Sequence, residues 1–116
     1  MKKLLAFAAA GEAATGLVLL VYPPIVVWLL FGAEIAGAGV MMSRIAGIAL
    51  IGLAVACVPG RAVLGMLTYS AVVTLYLAYV GFSGGLTGIL LWPAVVLHAI
   101  LTILLGRTWL KRISDQ

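Results

Sequence analysis

Residues 36–58 read AGAGVMMSRIAGIALIGLAVACV, an apolar run interrupted only by Ser43 and Arg44. A helix rising 1.5 Å per residue needs about 20 apolar residues to cross the hydrocarbon core of a bilayer, and this run supplies them. It lacks the alternation of polar and apolar positions that marks a transmembrane strand. Three more runs of similar length flank it. Leu4 to Tyr22 is apolar apart from Glu12, Thr15 and its glycines, Ala62 to Phe82 carries no charge, and Leu86 to Gly106 holds a single titratable group, His98. The pattern predicts an all-α membrane protein, an antiparallel bundle of four transmembrane helices at about residues 4–22, 36–58, 62–82 and 86–106 in one domain spanning 1–116.

Composition points the same way. Of the 116 residues 66% are hydrophobic and 9% charged, against about 25% charged in a soluble domain. Such a chain cannot cover a water-facing surface, and it is too hydrophobic to remain disordered. The net charge of +4 does not point to nucleic acid, because the basic residues form no stripe and have no stacking groups among them. Lys2, Lys3, Arg61, Arg107, Lys111 and Arg112 instead flank the apolar runs, and with four crossings they all fall on one side. The opposite connections, Pro23 to Ile35 and Ser83 to Gly85, contain no Lys or Arg. The positive-inside rule then places both termini in the cytoplasm. Lys2-Lys3 before an apolar stretch also resembles the opening of a signal peptide, but the run continues to Tyr22 and reads as a retained first span.

The first connection is itself apolar. Pro23-Pro24 ends the first helix, since proline has no N–H to donate. Ile25 to Phe31 is too short to span and is predicted as a short interfacial helix, started by Pro24 and stopped by Gly32. Tyr22, Trp28 and Trp92 would mark the outer interface and Trp109 the inner one. Pro93 either kinks the last helix or delays its start to near Trp92. Between helices, Gly52-x-x-x-Ala56 fits a small-residue contact of the kind that holds membrane helices together.

Ionisable groups within a span are expensive, by about 2.5–3.5 kcal/mol on insertion scales, and seek partners inside the protein. Glu12 lies eight residues after Leu4, and His98 eight before Gly106, so each sits about 12 Å from the cytoplasmic boundary. Tyr69 falls near that level, Arg44 sits about 12 Å below the outer boundary, and Tyr76, two turns after Tyr69, shares its face. Glu12, Arg44, Tyr69, Tyr76 and His98 are therefore the candidate ligand-binding residues of one interior polar site, with Glu12–Arg44 the expected ion pair. In the plain structural alternative that pair only fixes helix register, and the tyrosines and histidine satisfy leftover hydrogen bonds.

No catalytic set is recognisable, and one histidine with no second histidine or nearby cysteine predicts neither a metal site nor haem. No cofactor is expected. Cys57 reads as a buried small hydrophobe, Glu34 as a solvated interfacial charge, and the glycines from Gly81 to Gly88 as a turn.

The segment Gly39 to Gly52, with Arg44 inside the helix followed by Gly47 and Gly52, resembles the second helix of the DoxX-like group of small four-helix bacterial membrane proteins. The overall plan, four spans with both termini inside and an apolar loop after the first, is similar too. That resemblance implies a bacterial cytoplasmic (inner) membrane and, for some members, association with membrane redox or quinone-linked complexes. The function expected is a non-enzymatic membrane protein whose partners are the lipid bilayer and a hydrophobic, lipid-like or quinone-like ligand. It would act alone, as a homo-oligomer, or as an accessory subunit of a larger membrane complex. The alternatives are a small proton-coupled transporter in which Glu12 and His98 change protonation, and a membrane enzyme using either residue as base on a lipophilic substrate.

Overall fold

In the computed structural model, which describes residues 2–83 and 88–115, the chain forms α1 (Lys2–Val21), α2 (Pro23–Phe31), α3 (Ala38–Ala56), α4 (Ala62–Ser83) and α5 (Leu91–Ser114). The four long helices are each apolar and long enough to cross a membrane. Their limits follow local chemistry. α1 stops where Pro23 and Pro24 begin α2, occupying first-turn positions whose N–H groups would have had no intrahelical partner. α2 stops at Gly32, which is left-handed (φ 65°, ψ 23°) and donates its N–H to the Trp28 carbonyl. Pro93 does not kink the last helix. That helix starts late, at Leu91, so Pro93 falls in its first turn. The fourth run is therefore corrected at both ends, since α5 also continues through Arg107 to Ser114, well past Gly106. The second run is trimmed to Ala38–Ala56. The expected turn after Ser83 and the expected helix start at Leu86 involve residues 84–87, outside the described residues.

Glycines decide how the helices meet. A Cβ at Gly47 would lie 2.6 Å from the Gly16 carbonyl oxygen, and one at Gly16 would lie 2.7 Å from the Gly47 oxygen, so α1 and α3 touch backbone to backbone. α3 and α4 meet in the same way, where a Cβ at Gly65 would lie 2.6 Å from both the Gly52 oxygen and the Ala56 Cβ. The small-residue contact expected at Gly52 and Ala56 is thus formed, with Gly65 as its partner. Dispersion and close approach hold helices together in lipid, where burying leucine against leucine gains little. On the last seam the Trp92 indole lies over Gly81 and meets Phe82 edge-on at 5.1 Å.

These contacts are all antiparallel, and they run in sequence. α1 packs on α3, α3 on α4 and α4 on α5, while α2 leans on α1 and α3; no other helix pairs pack among the described residues. The bundle is therefore an open row. Its shortest dimension is 16 Å, little more than the roughly 10–12 Å diameter of one helix. The start of α1, the end of α5 and the α3–α4 turn lie at one end, hereafter the terminal end; α2 and the starts of α3 and α5 lie at the far end. Among the described residues buried apolar side chains are few (Pro23, Ile48, Ala54, Val73, Val80 and Val95), while large ones such as Phe7, Phe31 and Ile89 stand almost fully exposed. That distribution suits a solvent of lipid tails.

Candidate functional site

Helices without water must satisfy their polar side chains internally. Most of the described serine and threonine hydroxyls do so locally. Thr68, Thr74, Thr102 and Thr108 each donate to the carbonyl four residues back, at 2.6–3.0 Å, and Ser83 donates to the Val80 carbonyl. Among the described residues two fully buried polar atoms have no partner. Ser70 is wholly buried and its Oγ has no partner, and the Nε of Arg44 is buried without one.

His98, half-buried on α5, places Nδ1 2.8 Å from the Ala94 carbonyl. A carbonyl only accepts, so Nδ1 is the donor in this contact, and in the neutral tautomer that has this donor Nε2 is the acceptor. The ring meets that of Tyr69 on α4 edge-on, with centroids 5.9 Å apart. Tyr69 also faces α3, and its Cβ lies 3.0 Å from where a Gly52 side chain would begin. Gly52 and Gly65, having no side chains, leave a groove on this seam of about 360 Å³, lined by Ala49, Leu53, Ala56, Met66 and Tyr69 as well. The groove is apolar apart from its tyrosine. It offers a flat, greasy slot with a phenol at its edge and an imidazole acceptor next to that phenol.

The other candidates do not join this place. With Gly16 apposed to Gly47, Glu12 lies four residues toward the terminal end and Arg44 three toward the far end. The two are about 10 Å apart in height. The expected Glu12–Arg44 pair is not formed, and this height difference is the reason. Nor can Glu12 reach Tyr69 or His98, because α1 packs on α2 and α3 alone. Arg44 is six residues from the start of α3, and its stem leans toward that start, as Cβ bonds do in any helix. Tyr76 lies at about the height of Arg44, one helix over, given the Gly52–Gly65 apposition. The single interior spot predicted from depth alone is thus three places: Tyr69–His98 beside the groove, Arg44 and Tyr76 at one height toward the far end, and Glu12 on the edge helix.

Depth could be counted from the sequence; lateral position in an open row could not. Ser70 and Gly16 were missed for related reasons. A serine in an apolar helix ordinarily bonds its own backbone, and one glycine among many gives no sign of which one is apposed to a neighbour. Among the described residues no cluster of His, Cys, Asp and Glu could hold a metal ion, and Cys57 is a half-buried free thiol. No family model, no curated protein and no solved structure matches this chain, so what it does is read from its own residues.

Proposed function

We propose that the chain is a non-enzymatic integral protein of a bacterial cytoplasmic membrane that holds a lipophilic molecule bearing a hydrogen-bonding oxygen, quinone-like or lipid-like, in the α3–α4 groove. The observation that carries this reading is the apolar slot floored by Gly52 and Gly65 and closed by Tyr69, whose ring rests against His98. An acyl chain or planar ring fits the slot, the Tyr69 hydroxyl donates to a carbonyl, and the free Nε2 of His98 accepts from a hydroxyl. Both termini lie on the cytoplasmic side in this reading. Its support is the gathering of Lys2, Lys3, Arg61, Arg107, Lys111 and Arg112 at the terminal end. α2, apolar throughout and exposed along Trp28 to Phe31, then lies in the opposite interface.

The open row supports the second half of the reading, membership of a homo-oligomer or larger membrane complex, because a single layer leaves both of its faces uncovered. Proton-coupled transport through Glu12 and His98 would need a second copy to bring the edge helix to α5.

Mass spectrometry of lipophiles that co-purify in maltoside micelles tests the groove. Ala49 lines it and is exposed, so Ala49→Phe fills the slot without entering a helix contact. Tyr69→Phe removes only the hydroxyl. The wild type should carry a specific lipophile, with at least tenfold less in either variant. A wild type carrying nothing specific, or variants that carry as much, overturns the proposal.

A further inference from the structure

A second pocket, separate from the groove, lies at the far end of the row. The chain leaves α1 through Tyr22, enters α2 at Pro23 and reverses at the left-handed Gly32. Glu34 and Ile35 then return beside Tyr22, Pro24, Ile25 and Trp28, and together these six residues line a pocket of about 330 Å³, at the lower end of the roughly 300–1,000 Å³ range of small-molecule sites.

Its chemistry is distinctive. Two aromatic residues and one acidic residue line a common space, and both aromatic side chains stand largely outside the protein's own packing, Tyr22 and Trp28 being 61% and 59% exposed. No Lys or Arg occurs between Lys3 and Arg44, and no basic residue lines the pocket beside Glu34. Anchoring at a bilayer interface would account for the aromatic residues but gives no role to a carboxylate between them. Aromatic faces carry negative potential and accept a cation together with its alkyl shell. The carboxylate adds the opposite charge. An anion would be repelled, and a neutral apolar group would have no use for Glu34.

We propose that this pocket binds an alkylated ammonium group, with the cation between the Tyr22 and Trp28 faces and its charge balanced by Glu34. The same group occurs on choline lipid headgroups and on free quaternary ammonium ions.

The test uses the full chain in maltoside micelles, which bring neither charge nor amine. Choline is titrated while the indole N–H resonances of Trp28 and Trp109 are followed by NMR. Choline should shift the Trp28 resonance saturably and leave that of Trp109 unmoved. Glu34→Gln and Tyr22→Leu, both at exposed positions, should each weaken binding about tenfold. 3,3-Dimethylbutan-1-ol, in which carbon replaces the charged nitrogen, should bind at least tenfold more weakly than choline. Equal binding of that neutral isostere, unchanged affinity in Glu34→Gln, or no saturable shift overturns the proposal. A short-chain phosphatidylcholine that displaces choline at lower concentration than choline itself identifies the lipid headgroup as the occupant, and the reverse order identifies the free ion; either order requires the site.

Discussion

If α1 and α3 are held by glycine backbones in contact, one added methyl group should part them. In Gly47→Ala the new Cβ would lie 2.6 Å from the Gly16 oxygen, 2.9 Å from the Leu19 Cβ and 2.9 Å from the Leu20 nitrogen. Ordinary contact begins at 3.4 Å, so the closest approach is short by about 0.8 Å. No rotamer change relieves this, because the obstacles are backbone atoms and a Cβ. The helices must separate, and a gap of about 0.5–1 Å forfeits a quarter to a half of each contact's attraction. Overpacking of this kind costs about 1–3 kcal/mol. Alanine's better helix propensity, worth up to about 1 kcal/mol, opposes that loss and must be separated from it. Gly11→Ala does so, since nothing lies within 4 Å of a Cβ there and the propensity gain is the same. Unfolding both variants by titrating SDS into maltoside micelles, followed by far-UV circular dichroism, should show Gly47→Ala less stable than Gly11→Ala by about 1–3 kcal/mol. The Gly16→Ala/Gly47→Ala double variant should lose less than the sum of the single losses, because one separation accommodates both methyl groups. A Gly47→Ala protein as stable as Gly11→Ala refutes the backbone contact.

At Gly81 the obstacle is the Trp92 ring, a side chain. Gly81→Ala should therefore displace the indole at a smaller loss, about 0.5–1.5 kcal/mol, and its tryptophan emission should shift; an unchanged spectrum contradicts the contact. Gly32→Ala meets no atom within 4 Å but must hold φ near 65°, so it should lose about 1–2 kcal/mol, seen as faster amide exchange in α2. Ser70→Ala removes a buried hydroxyl that has no partner and should be neutral or stabilising by about 1 kcal/mol; a clear loss of stability would mean that the oxygen is bonded to something.

How much could be read in advance differs from residue to residue. Four apolar runs, two prolines and a glycine were enough to give four spans, a short helix ending at Gly32 and, at Pro93, a choice between a kink and a late start. Those features depend on local chemistry and on the thickness of a bilayer, both of which one strand of sequence carries. Height along each helix was legible too, and it put Tyr69 near His98, which the rings confirm at 5.9 Å.

Lateral neighbourhood was not legible. The expectation that Glu12 and Arg44 would pair assumed a closed bundle in which every helix faces a shared axis. The chain instead forms a row, so Glu12 stays on the edge helix, and the pocket beside Glu34 forms only because Gly32 turns the chain back. Sequence alone determined which segments form helices long and apolar enough to cross a membrane, and how far along its helix each polar group sits. Only the tertiary structure decided which of those groups meet. In lipid, apolar burial favours no particular pairing of helices, and the pairing is chosen by which glycine backbones fit together at close range.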